Sequence, residues 1–222
     1  MNRAGYDRLA AAPGGAGYSL ADIRQEHQAR LGMWVFLATE LMFLGPVFVG
    51  YVVLRQQFPQ AMAEASHLTD VALGTINTLV LLTSSLAMAL AVETARLGAR
   101  TFARRALWLT AALGLVFLAI KGYEYGMDWR EHLFPDARFH AKDVRDQAGA
   151  RMFFFFYFFS TGLHALHLLV GMALTLAMAR TLAASPAARA ARRLELTGLY
   201  WHFVDIVWIF LYPMLYLLER WS

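Results

Sequence analysis

The sequence predicts an all-α membrane protein whose chain crosses the bilayer five times. Of its 222 residues, 59% are hydrophobic and only 16% are charged, whereas soluble domains average about 45–50% apolar and about 25% charged residues. The apolar residues fall into five blocks of about 20 residues or more, and a helix of that length spans the hydrocarbon core of a bilayer, about 30 Å thick. These observations exclude a disordered chain and favour a polytopic membrane protein.

The five predicted spans follow one another along the chain, at roughly residues 32–54, 71–92, 102–125, 153–179 and 196–218. Gly45 and Pro46 interrupt the first span, and we expect a kink there because proline lacks the amide hydrogen that a helix needs. A polar N-terminal segment, residues 1–30, precedes the five-helix membrane domain, residues 31–222. A longer connection, at about 126–151, separates the third and fourth spans and is long enough to form a structured cap.

The distribution of Lys and Arg predicts the orientation, because these residues are retained in short loops on the cytoplasmic side. Twelve lie in the N-terminal segment and in the second and fourth connections, and eight lie in the first and third connections and at the C-terminus. The sequence therefore predicts a cytoplasmic N-terminus and an outer C-terminus. The net charge of +4 then reflects basic loops rather than nucleic-acid binding.

Cysteine and the sequence motifs of several common redox and catalytic sites are missing. The sequence has no cysteine, which excludes disulfides, thiolate metal ligands and a thiol nucleophile. It also has no phosphate-binding loop, dinucleotide fingerprint, nucleophile elbow or metal-ligand spacing. We therefore predict no catalytic residue and no metal site on this chain.

One carboxylate lies deep within a predicted span. Ionisable side chains in such positions are costly and point to function. Glu40 lies a few residues from the middle of the first span, and no Lys or Arg lies near it in that span. Two interpretations remain open: a carboxyl that exchanges protons or reacts with modifying reagents, and a protonated carboxyl that hydrogen-bonds to a neighbouring helix.

Polar side chains form a seam on the fourth and fifth spans. His164 and His167 share one face of the fourth span, and His202 and Asp205 are close enough on the fifth, at i and i+3, to contact each other. Asn77 adds a polar side chain to the second span. The other four histidines fall in predicted loops. Three histidines are too few for the four axial ligands of a membrane diheme site, so we favour hydrogen bonds between helices over metal or heme ligation.

A second acidic residue falls at the end of the third predicted span. Glu124 follows Lys121 by three residues, a spacing at which helical side chains meet. We expect an ion pair at the membrane boundary that has no part in chemistry.

Five segments resemble subunit III of the heme–copper oxidases and occur in the order of that family. They are WVFLATELMF (34–43), NTLVLLTSS (77–85), KGYEY (121–125), TGLHALH (161–167) and YWHFVDIVWIF (200–210). The resemblance covers roughly residues 25–220, and the last motif is highly specific. The chain resembles the short bacterial form of that subunit, which has five helices.

The resemblance implies a non-catalytic subunit of a proton-pumping cytochrome c oxidase, in the aerobic respiratory chain of a bacterial cytoplasmic (inner) membrane, with a periplasmic C-terminus. It implies that heme and copper belong to partner subunits I and II, and that this chain holds no cofactor, stabilises the catalytic subunit and supports proton uptake.

The resemblance also implies roles for single residues. Glu40 matches the reactive membrane carboxylate of the family, and His164, His167, His202 and Asp205 match its polar seam. Arg180 lies near the lipid-binding arginine of the family, so bound phospholipid is expected, with Arg180 as the candidate headgroup contact.

Three alternatives remain open at this stage. The chain can serve as subunit III of a quinol oxidase, or as a paralogue associated with nitric oxide reductase. From a different class, a small transporter that uses Glu40 as its proton carrier fits the composition, although it fits the five segments poorly and no inverted repeat is visible.

Overall fold

The computed structural model describes residues 20–217 except Asp143 and Ser185, and most of these residues are helical. Six α-helices occur there: α1 (Leu20–Gln57), α2 (Pro59–Ser66), α3 (Val71–Arg96), α4 (Arg100–Arg130), α5 (Gln147–Thr181) and α6 (Ala187–Tyr212). A π-helical turn, Pro213–Leu217, follows α6. All but α2 are long and apolar enough to span a membrane, which confirms the predicted all-α class and its five spans.

The helices extend beyond the predicted spans, because helical hydrogen bonding continues into polar turns that hydropathy does not mark. Residues 1–19 of the predicted N-terminal segment lie outside the described residues. α1 begins at Leu20 and includes His27, so the prediction that this histidine lies in a loop is wrong. α1 also continues through Pro46, and the kink there stays a prediction. α4 continues to Arg130, which places Lys121 and Glu124 more than a turn inside it.

The described chain divides into two units, the first ending at Met42 and the second beginning at Phe43. The described part of the first unit is helical and exposes large apolar side chains, among them Trp34, Leu41 and Met42. Such a surface is expected of a helix that faces lipid or another protein.

The second unit is built by packing of helices against one another. α3 packs on α4 and α6, and α5 packs on α2, α4 and α6. Trp201 of α6 is fully buried, and its ring lies so close to α4 and α5 that a Cβ on Gly114 would be 3.0 Å from it, and one on Gly171 3.1 Å. Small residues therefore let the helices approach this indole closely.

The connection between α4 and α5 is held by specific hydrogen bonds. The Gln147 side-chain amide donates to the carbonyls of Ala141 and Val144, both at 2.8 Å, and its oxygen accepts from the Ala141 N–H at 3.0 Å. The Arg145 N–H donates to Glu64 Oε2 of α2 at 3.0 Å. The connection is therefore linked to α2 by a hydrogen bond, and it begins after Arg130, about five residues later than the sequence indicates.

Candidate functional site

A buried polar cluster joins three elements of the second unit. Lys121 and Glu124 come from α4, Tyr157 comes from α5, and Tyr216 comes from the π-helical turn after α6. We call these four residues the Lys121 cluster. Lys121 is only 4% exposed and Glu124 only 2%, and both tyrosines are fully buried. Because of their i, i+3 spacing, Lys121 and Glu124 lie on the same side of α4. The hydroxyl groups of the two tyrosines contact Lys121 on that side.

The hydrogen bonds within the Lys121 cluster are complete. Lys121 Nζ donates to Glu124 Oε2 at 2.9 Å, to the Tyr216 hydroxyl at 2.6 Å and to the Tyr157 hydroxyl at 3.2 Å. Both hydroxyls donate in turn to Glu124 Oε1, at 2.6 Å from Tyr216 and 2.8 Å from Tyr157. All three N–H groups of the ammonium and both oxygens of the carboxylate are therefore satisfied.

Aromatic rings surround the Lys121 ammonium. The Nζ atom lies 4.9 Å from the ring centre of Tyr157, 5.3 Å from those of Trp208 and Tyr216, and 5.6 Å from that of Tyr125. A cation over such rings gains about 0.5–2 kcal/mol, most when it is desolvated. The Lys121 cluster thus contains an ion pair whose charges offset each other, and its hydrogen bonds link α4, α5 and the C-terminal turn.

The sequence predicted this ion pair but not its burial. The pair forms as expected, and both of its side chains are buried in the protein interior. Tyr157 and Tyr216 were missed. A signal for one of them is present, since Tyr157 is the single hydroxyl in the aromatic run from Phe153 to Phe159.

The predicted seam is only partly joined by hydrogen bonds. His202 Nδ1 lies 2.7 Å from Ser85 Oγ, which links α6 to α3. Its expected partner Asp205 is 3% exposed, and neither carboxylate oxygen has a hydrogen-bond partner in the described part of the chain. His202 therefore contacts Ser85 of the neighbouring helix α3 instead of forming the predicted contact with Asp205.

The other three seam residues, His167, His164 and Asn77, differ in the groups that they contact. His167 Nδ1 lies 2.8 Å from the Leu163 carbonyl of its own helix, and it must be the donor because a carbonyl only accepts. His164 packs against the rings of Phe117 and Trp208, with ring centres 5.5 and 5.1 Å away. Asn77 is fully buried, and its amide has no hydrogen-bond partner among the described residues.

The remaining predicted site residues lie apart from the Lys121 cluster in the chain. Glu40 lies in the first unit and is half-buried, and Arg180 is exposed in the last turn of α5. Within the described residues, no group of three or more His, Asp or Glu side chains is arranged to hold a metal ion.

Comparison with known proteins places the chain in a family. The family described as "Cytochrome c oxidase subunit III" matches residues 22–221. The chain is 30% identical over 196 residues to cytochrome c oxidase subunit 3 of Thermostichus vulcanus, which covers 86% of this chain and 87% of the relative. It is 27% identical over 190 residues to the probable quinol oxidase subunit 3 of Staphylococcus haemolyticus (strain JCSC1435). This match covers 85% of this chain and 88% of that relative.

A third relative is a longer protein. The heme–copper oxidase subunit I+III of Aeropyrum pernix is 29% identical over 195 residues, which make up 85% of this chain and 22% of that protein. The family match spans nearly the whole chain and includes all five segments singled out in the sequence. The chain therefore belongs to the cytochrome c oxidase subunit III family.

Proposed function

We propose that the chain is the non-catalytic subunit III of a proton-pumping cytochrome c oxidase in the cytoplasmic membrane of a bacterium. The observation that carries this proposal is the family match over residues 22–221, together with five helices that can span a membrane. The excess of Lys and Arg in alternate connections supports a cytoplasmic N-terminus and a periplasmic C-terminus.

The proposed partners are subunits I and II, which would carry heme and copper. The absence of cysteine supports this division, because a dicopper site with thiolate ligands needs cysteine. The name of the Aeropyrum pernix relative joins subunits I and III in one protein, which supports contact between this chain and the catalytic subunit. Exposed apolar side chains on every span supply surface for that contact and for lipid.

The structural role that fits this chain is to stabilise the catalytic subunit. All three N–H groups of Lys121 and both oxygens of Glu124 already have hydrogen-bond partners within the Lys121 cluster, so we expect the cluster to contribute rigidity. Arg180, exposed at the end of α5, is the proposed headgroup contact of a bound phospholipid.

A quinol oxidase subunit is the second candidate, and the relative from Staphylococcus haemolyticus favours it. The electron-donor site belongs to other subunits in either case. The complex purified through a tag on this chain is expected to consume oxygen with reduced cytochrome c as the donor. Consumption with quinol alone would establish the second candidate, and a colourless homo-oligomer that transports a solute in liposomes would contradict both.

Glu40 is the proposed proton-linked residue of this subunit. Replacing Glu40 by glutamine keeps the shape of the side chain and removes its exchangeable carboxyl, so we expect slower proton uptake or a shorter catalytic lifetime with assembly intact. Both are measured on the purified complex in vesicles during sustained turnover. Glu93→Gln is the control, since that carboxylate is exposed and paired with Arg96 at 3.7 Å. If proton uptake and catalytic lifetime are unchanged in Glu40→Gln, the proton-linked role is refuted and Glu40 serves only in packing.

A further inference from the structure

A buried carboxyl group that the proposed function does not use lies on α6. Asp205 is 3% exposed, although it belongs to a helix long and apolar enough to span the membrane. Both of its carboxyl oxygens are closed off from solvent, and neither has a hydrogen-bond partner in the described part of the chain. The ion pairs between described residues do not include it either.

The Lys121 cluster shows how this chain holds a buried carboxylate that is ionised. Glu124 is about as buried as Asp205, at 2% exposure. Its carboxylate has the Lys121 ammonium at 2.9 Å and accepts hydrogen bonds from two tyrosine hydroxyls. A carboxylate that loses its water without such compensation is strongly disfavoured, and the group takes up a proton instead. Since no described residue compensates Asp205 in this way, the two acids are expected to differ in charge.

The described elements around α6 bring no positive charge to Asp205. α3, α5 and the π-helical turn pack against α6, and neither residues 71–92 of α3 nor the turn has a charged side chain. The two histidines within the span of α5, His164 and His167, form no ion pair with Asp205. Lys121 of α4 donates all three of its N–H groups within the Lys121 cluster. An ionised Asp205 would therefore lack a counter-charge among these residues.

Polar side chains that suit a neutral acid lie next to Asp205. Ser85 of α3 is adjacent to its carboxyl group, and Ser85 Oγ is 2.7 Å from His202 Nδ1. His202 and Asp205 are i and i+3 on α6, so both lie on the face that meets α3. A hydroxyl group can donate one hydrogen bond and accept others. Ser85 is therefore compatible with a carboxylic acid on one side and a neutral imidazole on the other.

We propose that Asp205 is a proton-binding site of this subunit and that its carboxyl group carries a proton in the resting complex. The proton is bound to a carboxyl oxygen, and α6 then holds a neutral acid beside Ser85. Glu40, the residue with the proposed proton-linked role, belongs to the other unit of the chain. The inference rests on the burial and the neighbours of Asp205, so it holds whichever electron donor the complex uses.

Infrared spectroscopy of the complex purified through this chain tests the protonation, because a carboxylic acid has a carbonyl stretch that a carboxylate lacks. Growth with aspartate that is isotopically labelled at the side-chain carboxyl carbon identifies the bands of aspartic acids by their shift. We expect a label-sensitive carboxylic acid band in the wild-type complex and its loss in Asp205→Asn. A wild-type spectrum without such a band, or an unchanged band in Asp205→Asn, would overturn the proposal.

Asp70→Asn is the matched control for Asp205→Asn. Asp70 is exposed and caps α3 by accepting the Leu73 N–H at 3.1 Å, and asparagine caps helices equally well. Exposed aspartates are ionised at neutral pH, so the carboxylic acid band is expected to stay in this control. Loss of the band in both variants would refute its assignment to Asp205.

A third variant serves if Asp205→Asn does not assemble. Ser85→Ala keeps the acid and removes only the hydroxyl group beside it. The carboxylic acid band is then expected to remain but to shift in frequency, because the carbonyl stretch depends on neighbouring polar groups. A band at the wild-type frequency in Ser85→Ala would contradict its assignment to Asp205.

Discussion

Replacing Glu124 by glutamine is expected to destabilise the protein by about 3–5 kcal/mol, because it removes the carboxylate that pairs with the buried Lys121 ammonium at 2.9 Å. The Lys121 ammonium is then enclosed by four aromatic rings with only neutral oxygens as hydrogen-bond partners. The effect is measured as a lower temperature of thermal inactivation of the purified complex and as a lower yield of assembled complex. Loss of the link between α4, α5 and the C-terminal turn accounts for the assembly defect.

A double variant tests whether charge is the cause. Removing both members of the pair, in Lys121→Met with Glu124→Gln, is expected to recover much of the stability that Glu124→Gln loses, since the ammonium that would lack Glu124 is removed as well. An exposed pair serves as the matched control: Glu93→Gln, which breaks the contact with Arg96, should cost about 1 kcal/mol or less. A double variant as unstable as Glu124→Gln alone would show that the buried charge is not the source of the loss.

Replacing Gly149 by alanine is expected to destabilise the protein by about 1–3 kcal/mol through overpacking. A Cβ at this position would lie 2.5 Å from the Ala61 Cβ of α2 and 2.8 Å from Asp146 Oδ2. Asp146 caps α5 by accepting the N–H groups of Ala148 and Gly149, both at 3.1 Å, so the methyl group disturbs the helix contact and the cap together. Thermal inactivation of the purified complex measures the change.

Gly162 in the same helix is the control for Gly149. Apart from its chain neighbours and the nearby backbone of its own helix, no atom lies within 4 Å of a Cβ built at Gly162, and alanine is a better helix former than glycine by about 1 kcal/mol. Gly162→Ala should therefore be neutral or stabilising. Equal effects of the two substitutions would contradict the close contact between α2 and α5.

Hydropathy was sufficient to predict the five long helices, because an apolar block of that length has few other structures to adopt. It did not predict α2, whose eight residues are too few for a clear periodic pattern. It also ended the third helix at about residue 125, because the charges of Asp128 and Arg130 lower the hydropathy beyond that point. The helix nevertheless continues to Arg130, and Asp128 is buried within it.

The candidate site was predictable only where its residues are close in sequence. The spacing of Lys121 and Glu124 predicts their pair, but Tyr157 and Tyr216 are 36 and 95 residues away from Lys121. Their approach depends on how α5 and the π-helical turn pack, which no local pattern encodes. The same limit applies to His202. Its spacing to Asp205 predicts that the two residues share a face of α6, but it does not predict that Ser85 of α3 lies next to His202.

The central claim is that this chain is a cofactor-free subunit of a heme–copper oxidase, and the visible spectrum of the complex tests it most directly. Material purified in mild detergent through a tag on this chain is expected to contain a larger partner and to show a heme Soret band. The band should leave with the partner when the complex is dissociated, so that the separated chain is colourless. A Soret band that stays with the separated chain, or a stable complex that contains no heme, would contradict the claim.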